Sequence, residues 1–536
     1  TLINIYPYSP LLEESPMAGL RNVYAAFTII ATGGLLFGYI IGINGNVITK
    51  GQLKCPDGWT GVVGDFSTYG YGQCYQFDAW GEGILSSLNL VGATISSAIC
   101  FKYADTMGRR FEVKLGAALY LIGSATAALS PVLWGIYVGF LIYGLGIGFA
   151  MHAAPVYIAE ISPAEVRGRL VSAKEMVIVV GMFIGFAMGA IFGSWERAGW
   201  RAMVLLAGVF ALFMEAGIAY IPNSPRWLVL KAVRDSQSTL LSSAAASDVM
   251  EEARRALQFF RRAQIPEEVD DELKAIVLDA EESVGAARAA GCKETLRYPR
   301  PLVIGCGLVF LQQVTGQPSV LYFATNIFKS AGFASLAAAA SVLVGFVKLL
   351  ATLFTVFRVD QYGRRRLLMV GIAMMMVALL ILGIAFGFRH CDQPDTSMAD
   401  CPEDKVSLPR GWAISTVFAL MIYVSGYQVG FGPISWLMIS EIFPLGVRGA
   451  ALSTAAMVNF GSNIMMTLCQ TALMNALTPS GTFFSYLVLS IVSFVFVLLM
   501  VPETKGRTLE DIEAEMTGRK SRAPLLNVEA GSASRQ

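Results

Sequence analysis

The sequence has little charge, almost no histidine, and no cysteine or glycine motif of the kind that holds a metal or a nucleotide. Of its 536 residues, 15% are charged and two are histidines, and 40 basic residues nearly balance 39 acidic ones. This balance provides no basic field for nucleic acid. The chain has no Cys-x-x-Cys pair and no glycine-rich loop before Lys-Ser or Lys-Thr. Nucleic-acid binding, a metal and any other cofactor are therefore not expected, and the sequence does not favour an enzyme.

Apolar residues dominate the chain instead. Hydrophobic residues make up 55% of it, and the mean hydropathy is +0.57. A helix that crosses a lipid bilayer needs about 20 mostly apolar residues. We find six such segments near 22–48, 82–103, 111–131, 134–159, 170–193 and 200–221, and six more near 300–328, 336–359, 367–388, 411–439, 449–472 and 482–501. The sequence predicts an all-α membrane protein with twelve transmembrane helices in two six-helix bundles.

The polar segments divide the chain into five parts. They are an N-terminal tail (1–21), a first bundle (22–221), a linker (222–299), a second bundle (300–502) and a C-terminal tail (503–536). The linker mixes charge-rich stretches with apolar residues, which predicts amphipathic helices on the membrane surface. Short arginine-rich loops fall on the same side as the linker, and the positive-inside rule makes that side cytosolic. Both tails are then cytosolic too, and the first twenty residues do not resemble a cleavable signal peptide.

Four cysteines lie in two loops on the opposite side of the membrane. Cys55 and Cys74 share the first loop, and Cys391 and Cys401 share the second. An oxidising exterior or lumen would permit disulfides there. Pairing within each loop and four free thiols both stay open.

The two halves of the chain repeat one pattern of charges. An Asp-x-x-Gly-Arg-Arg motif follows the second and the eighth predicted span, and a glutamate precedes an arginine by seven residues after the fourth and the tenth. Such groups at one membrane face are expected to form ion pairs that lock this face closed and break when it opens. The alternative is that they are ordinary basic anchors. The repeated residues are Asp105, Arg109, Arg110, Glu160 and Arg167 in the first half and Asp360, Arg364, Arg365, Glu441 and Arg448 in the second.

Three motifs lie near the ends of the predicted bundles. They are Gly-Gly-Leu-Leu-Phe-Gly-Tyr at 33–39, Pro-Asn-Ser-Pro-Arg-Trp at 222–227 and Pro-Glu-Thr-Lys-Gly-Arg-Thr-Leu at 502–509. Through them the sequence resembles the sugar porter family of the major facilitator superfamily. The segments 148–160, 171–175 and 312–322 look most like those of plant vacuolar and plastidic glucose transporters. The resemblance implies two bundles that rock about a central sugar site. It also implies a monomer in the lipid bilayer of a plasma, vacuolar or plastid membrane.

A sugar site needs side-chain amides and hydroxyls for the sugar hydroxyl groups and an aromatic platform for the ring face. The resemblance assigns these roles to polar and aromatic residues of the second bundle. The alternative is that amides in spans hold helices together. The candidate substrate-binding residues there are Gln312, Gln313, Tyr322, Gln428, Trp436, Asn459 and Asn463.

Two positions that are neutral in the wider family are charged here. Glu175 lies in the fifth predicted span and Lys348 in the eighth. A charge near the bilayer centre costs several kcal/mol unless it is paired or faces water. We therefore expect Glu175 and Lys348 to face each other across the cavity, paired directly or through the sugar. The alternative is that each contacts cavity water only.

Two further positions concern energy coupling. Proton-linked sugar porters carry an acidic residue after the Phe-Gly-Tyr motif and an arginine in the fourth span, but this chain has Ile40 and Phe140 there. An aliphatic residue cannot carry a proton, which favours facilitative (uniport) transport of a hexose, expected to be glucose. The alternative is a proton-coupled sugar symporter that uses another acid, such as Glu175 or Glu215. A transporter-like sugar sensor is less favoured, since such sensors carry long cytoplasmic extensions.

Overall fold

The computed structural model describes residues 20–49, 52–55, 74–76, 79–195, 198–237, 243–261, 266–287, 297–322, 337–391, 406–443, 448–505, 507, 512 and 515–516. Most of both predicted tails and Cys401 lie outside the described residues.

Six long helices form the first bundle. They are α1 (Arg21–Val47), α2 (Ala79–Met107), α3 (Arg109–Leu129), α4 (Leu133–Ile161), α5 (Ala164–Phe192) and α6 (Gly199–Ile218).

Buried tyrosine hydroxyls tie the helices of the first bundle to one another. Tyr120 of α3 and Tyr143 of α4 donate hydrogen bonds to the α1 carbonyls of Gly33 (3.0 Å) and Leu36 (2.9 Å). Tyr39 of α1 donates to the carbonyl of Met203 in α6 at 2.8 Å. Because a buried hydroxyl has no access to water, each of these bonds fixes a distance between two helices.

Three shorter helices follow the first bundle. They are α7 (Pro225–Gln237), α8 (Ser243–Phe260) and α9 (Pro266–Ala287). Their apolar faces share one cluster that includes Trp227, Leu257 and Val269, so these faces contact one another. Arg261 donates to the Ile161 carbonyl of α4 at 2.8 Å, which holds the cluster against the first bundle.

An ion pair also joins two of these linker helices. Arg254 of α8 donates to both carboxylate oxygens of Asp270 in α9, at 2.6 and 2.9 Å. These hydrogen bonds hold the pKa of Asp270 below its ordinary value.

The described part of the second bundle contains seven helices, because two of its six crossings are broken and the last two form one bent helix. The helices are α10 (Pro299–Val314), α11 (Gln317–Tyr322), α12 (Ala337–Tyr362), α13 (Arg364–Gly387), α14 (Arg410–Val429), α15 (Phe431–Ile442) and α16 (Arg448–Met500). Two strands of two residues each, β1 (His390–Cys391) and β2 (Val406–Ser407), pair antiparallel between α13 and α14.

Ten helical segments of the described chain are long and apolar enough to cross a membrane. The predicted seventh span is divided between α10 and α11, so neither piece reaches that length. The predicted eleventh span is the first part of α16, a helix of 53 residues that bends at Thr478, whose φ is 60°. With these two, the described residues account for the twelve predicted crossings of an all-α membrane protein.

Each bundle has an apolar core, and Leu321 of α11 and Phe460 of α16 join the core of the first bundle. The bundles meet where α2 packs against α16 and α5 packs against α12. Gly83 of α2 lies so close to α16 that a Cβ there would be 2.5 Å from the Leu468 carbonyl oxygen. Gly345 of α12 faces the Phe186 ring of α5 in the same way, at 2.9 Å. Only glycine allows this approach.

Two names distinguish the ends of the bundles. The linker end carries the arginine-rich loops and the α7–α9 cluster. The disulfide end is opposite, where Cys55 is bonded to Cys74. Gly83 lies at the disulfide end, because the neighbouring Glu82 forms an ion pair with Lys54, next to Cys55. Cys391 is disulfide-bonded too, while Cys401 is outside the described residues.

Candidate functional site

A break in the seventh span positions the two candidate glutamines. Gln312 and Gln313 occupy the last turn of α10, which ends at Val314 before Thr315 and Gly316. Gly316 has a φ of +100°, which favours glycine, and the Tyr486 ring lies 2.5 Å from where a Cβ would stand. The break frees the Thr315 carbonyl, which accepts a hydrogen bond from the buried Tyr423 hydroxyl at 3.1 Å. Such broken helices occur at membrane depth where the freed backbone groups find partners.

Gln312 is the centre of a buried amide network. Its side-chain nitrogen donates to the Tyr427 hydroxyl at 2.8 Å and to the Phe431 carbonyl at 3.4 Å. Its side-chain oxygen accepts a longer hydrogen bond, 3.5 Å, from Asn459 of α16. The network therefore joins α10, α14, α15 and α16 at one place.

Three buried polar atoms nearby have no hydrogen-bond partner within the described part of the chain. They are the side-chain oxygens of Gln313, Gln428 and Ser435. An unsatisfied buried acceptor costs roughly 1–3 kcal/mol. Hydroxyl groups of a bound ligand would remove this cost, so these atoms suit the recognition of a polyhydroxylated molecule.

The tenth span is broken between α14 and α15, and the break carries the candidate aromatic platform. Gly430 separates the two helices with φ and ψ both at −88°. Trp436 follows on α15 and is half-buried against the core of the second bundle. Gly432 leaves room for the Gln428 amide, since a Cβ at this position would be 2.7 Å from its nitrogen.

Asn463 and Tyr322 are the two remaining neutral candidates. Asn463 is buried on α16, four residues after Asn459 and thus on the same helix face. Its side-chain oxygen accepts a hydrogen bond from Thr467 at 3.1 Å. Tyr322 ends α11, and its side chain lies outside the described residues.

The two unusual charges have partners that the sequence did not reveal. Glu175 forms an ion pair with the neighbouring Lys174 at 2.9 Å. Lys348 is 2% exposed, and its ammonium group lies 5.4 Å from the centre of the Tyr427 ring, within cation–π range. The described ion pairs include none between Glu175 and Lys348, although Glu175 acts electrostatically on both Lys348 and Tyr427. A pairing of Glu175 with Lys348, directly or through a bound sugar, therefore stays a prediction.

Tyr427 and Lys174 belong to this site and were missed in the sequence. Tyr427 precedes Gln428, and Lys174 precedes Glu175. Adjacency in a helix does not place two side chains on one face, so no periodic signal pointed to them. An aromatic hydroxyl beside a candidate amide is the one signal that could have found Tyr427.

The repeated charges form equivalent ion pairs at the linker end. Arg109 of α3 pairs with Glu160 of α4 at 3.2 Å, and Arg364 of α13 pairs with Glu441 of α15 at 2.9 Å. Hydroxyls of the motifs that follow each bundle bond to the same glutamates: Ser224 to Glu160 and Thr504 to Glu441, the latter at 2.6 Å.

The second arginine of each motif also has an equivalent role. Arg110 donates to the carbonyls of Ile218 and Ala219 at the end of α6, and Arg365 donates to the Leu498 carbonyl near the end of α16. The structure thus repeats the pattern that the sequence repeats.

These ion pairs join helices of the same bundle. Arg167 donates to the nearby Ser162 carbonyl at 3.4 Å. The side chains of Asp105, Asp360 and Arg448 lie outside the described residues. A lock between the two bundles at the linker end therefore stays a prediction.

Ile40 and Phe140 occupy the positions where proton-linked sugar porters carry an acid and an arginine. Both side chains are buried in the apolar core of the first bundle, at 2% and 3% exposure. Neither of these two positions therefore carries a titratable side chain.

The chain is similar to known proteins in both sequence and fold. The family model described as "Sugar (and other) transporter" matches residues 26–516. The chain is 37% identical over 513 residues to "D-xylose-proton symporter-like 1" of Arabidopsis thaliana, covering 94% of each chain. It is 38% identical to "D-xylose-proton symporter-like 3, chloroplastic" of the same plant, covering 92% of this chain and 82% of that one. The solved inward-open xylose transporter XylE of E. coli has a similar fold, with a TM-score of 0.69 at 23% identity over 92% of this chain and 99% of that one.

Proposed function

Because the chain belongs to the sugar porter family of the major facilitator superfamily, we propose that it carries a monosaccharide across a membrane by alternating access of its two bundles. The observation that carries the proposal is the buried amide network of Gln312, Asn459 and Tyr427, with unpartnered acceptors on Gln313 and Gln428 beside it. Amides supply both donors and acceptors, as ring hydroxyls require.

The proposed substrate is a hexose, with glucose as the first choice and xylose as its competitor. The resemblance to plant glucose transporters supports glucose, and the names of the similar relatives support xylose. In their ring forms the two sugars differ only by the hydroxymethyl group of glucose. One set of amides therefore suits the hydroxyls of both, and the space near Trp436 would decide between them.

Two arguments about energy coupling favour different modes of transport, uniport and proton symport. Ile40 and Phe140 support a uniporter, because neither side chain titrates. The relatives named as proton symporters support coupling to protons. The apolar residues Ile40 and Phe140 are compatible with proton coupling if this chain binds its proton at another acid.

The membrane and the sidedness of the protein are part of the proposal. We place the α7–α9 cluster and both tails in the cytosol, in line with the arginines at the linker end. A relative named as chloroplastic supports a plastid envelope, with the vacuolar and plasma membranes as the other candidates. The substrate pathway lies within one chain, which fits a functional monomer.

Counterflow in proteoliposomes tests the sugar site. The purified protein is reconstituted with unlabelled glucose or xylose inside, and entry of the labelled sugar is followed. We expect Gln312→Ala to raise the half-saturating concentration about tenfold, since losing a hydrogen bond to a buried ligand costs about 1.4 kcal/mol.

The matched control is Asn44→Ala. Asn44 is also a buried amide of a span, but it bonds to Ser86 within the first bundle at 3.2 Å. If buried amides only hold helices together, both variants should change counterflow equally. That result would show that the assignment of Gln312 to a sugar site is wrong. Absence of counterflow with any sugar in the wild type would overturn the proposed transport and favour a sensor.

A further inference from the structure

A second polar cluster lies on helices that carry none of the candidate sugar-binding residues. Glu112 of α3 is fully buried, and its Oε2 lies 2.8 Å from Nδ1 of His152 in α4. Its other oxygen, Oε1, is buried and has no hydrogen-bond partner among the described residues. The Cys100 thiol of α2 lies within 4.8 Å of both groups. A carboxyl group in a transmembrane helix is costly, so Glu112 is a candidate functional residue.

The internal repeat shows that the fold does not need this pair. Glu112 stands three residues after Arg109, and the residue three after Arg364 in the second half is Leu367. His152 stands eight residues before Glu160, and the residue eight before Glu441 is Pro433. Leu367 is buried, so an apolar side chain fills the equivalent place without a charge. The first half therefore carries an added pair at a position where its sister half is apolar.

The chemistry of the pair suits the binding of one proton. With a carboxylate and a neutral imidazole, the pair carries one negative charge. After it takes up a proton, which the carboxyl oxygen and Nδ1 share, its net charge is zero. The uptake of one proton thus removes the net charge from the interior of this helix pair. The contact of 2.8 Å engages Glu112 Oε2 and His152 Nδ1 with each other, which leaves neither of these atoms free for a cation.

The position of the pair provides a route for the proton to Glu112. It also links the charge of the pair to the packing of α3 and α4. The His152 side chain is 25% exposed, whereas Glu112 is not exposed at all. The imidazole is thus the exposed member of the pair, and a proton would reach the buried acid through it. Glu112 and His152 also lie on the two helices joined by the Arg109–Glu160 ion pair at the linker end. A charge change here acts on the same helix pair.

We propose that Glu112 and His152 form the proton-binding site that couples sugar transport to a proton gradient. The proposal rests on the proposed sugar transport. In each cycle the pair takes one proton from water on one side of the membrane. The bundles rock with the pair neutral and sugar bound, and the proton returns to water on the other side.

Other charged groups lie on the elements that pack around this pair. Among the acids, Glu160, Glu175 and Glu82 each have a basic partner, while Glu215 has a buried oxygen, Oε2, without a hydrogen-bond partner in the described chain. Glu215 is therefore the matched control. The charged groups of these elements are Arg21 of α1, Glu82 of α2, Arg109, Arg110 and Lys114 of α3, Glu160 of α4, Arg167, Arg169, Lys174 and Glu175 of α5, Arg201 and Glu215 of α6, and Arg226, Lys231 and Arg234 of α7; the side chains of Lys102, Asp105, Glu165 and Asp235 lie outside the described residues.

The test measures accumulation and proton entry in the same proteoliposomes. An inward gradient of one pH unit is imposed, labelled glucose or xylose is added outside, and a trapped dye reports internal pH. One proton per sugar predicts accumulation of up to about tenfold in the wild type, because one pH unit is worth a factor of ten. We expect Glu112→Gln to reduce the ratio to about one and to abolish sugar-dependent proton entry. Glu215→Gln is expected to accumulate sugar like the wild type.

Counterflow without a gradient, measured on each preparation, shows that the variants still bind and carry sugar. His152→Gln is the second variant in case Glu112→Gln does not fold, and we expect it to keep counterflow and lose most of the accumulation. Accumulation by Glu112→Gln equal to the wild type overturns the proton site and leaves sugar transport intact. Equilibration by the wild type without proton entry also overturns it, in favour of uniport. A wild type without counterflow overturns both proposals.

Discussion

Glu175 and Lys348 both act on Tyr427, and Lys174 pairs with Glu175. Glu175 contacts Lys174 directly and acts on Lys348 at longer range, and Lys348 lies over the ring of Tyr427. One carboxylate thus compensates two ammonium groups that are 7% and 2% exposed. Removing the carboxylate leaves two buried cations without a counter-charge, which is costly in a membrane interior. The effect of neutralising Glu175 should therefore depend on whether Lys348 is charged, although the two groups form no direct ion pair.

This interdependence gives a prediction at the scale of single residues. We expect Glu175→Gln and Lys348→Asn each to reduce counterflow at least about tenfold, equivalent to 1.4 kcal/mol. The double variant carries the neutral residues expected from the family resemblance and should recover part of the loss. The measurement is a double-mutant cycle on counterflow rates. Losses that simply add would show that Glu175 and Lys348 act independently.

Residues that belong to a family motif could be predicted from the sequence, whereas residues that meet only through a tertiary contact could not. Gln312, Gln313 and Asn459 were assigned through family motifs, and the structure brings Gln312 and Asn459 together. The Glu112–His152 contact was not foreseen, since its members are forty residues apart and belong to no motif. Hydropathy and periodicity identify the buried face of a helix, but they do not show which residue of a neighbouring helix lies opposite.

Among the helices, the interrupted ones carry most of the polar site. The α10–α11 break depends on Gly316, where φ is +100° and the Tyr486 ring occupies the space of a side chain. A Cβ there adds backbone strain of about 1–3 kcal/mol and pushes on the ring. The Tyr486 hydroxyl contacts Ser319 at 2.8 Å and Gln470 at 2.6 Å, so movement of the ring disturbs α11 and α16 as well.

The prediction at the scale of elements compares two glycines. Gly316→Ala should lower the unfolding temperature of the purified protein by several degrees and reduce counterflow, because it distorts the break that positions Gln312. Gly461→Ala is the control, since a Cβ at Gly461 of α16 meets nothing within 4 Å. Thermal unfolding in detergent checks both. Equal unfolding temperatures for the two variants would contradict the role assigned to Gly316.

The continuous helices were largely predictable, whereas the breaks were not. The predicted span 111–131 is α3 at Arg109–Leu129, and the predicted span 367–388 is α13 at Arg364–Gly387. A run of apolar residues reports burial in the bilayer, and this property differs little between a straight and a broken helix. Nothing in the sequence distinguished Gly316 from the other glycines of the chain, because its need for a positive φ arises from tertiary packing.

For the whole molecule, the contacts between the bundles decide which end is closed. The approach of Gly83 to α16 lies at the disulfide end, and Gly345 faces Phe183 and Phe186 in the part of α5 that runs toward the same end. The ion pairs Arg109–Glu160 and Arg364–Glu441 at the linker end stay within each bundle. The described contacts therefore close the molecule at the disulfide end, and alternating access requires the glycine contacts to separate and re-form.

The last prediction follows from this requirement. A Cβ at Gly345 would lie 2.9 Å from the Phe186 ring and 3.2 Å from the Phe183 Cα, so Gly345→Val holds α12 away from α5 and disfavours closure. Overpacking of this kind costs about 1–3 kcal/mol, which predicts a reduction of counterflow of about tenfold or more. Each bundle keeps its own core, so glucose should still raise the unfolding temperature of the variant. Gly411→Val, where a Cβ has open space, is expected to leave both measurements unchanged. Loss of the glucose effect together with counterflow would show that Gly345 supports the sugar site itself rather than closure of the bundles.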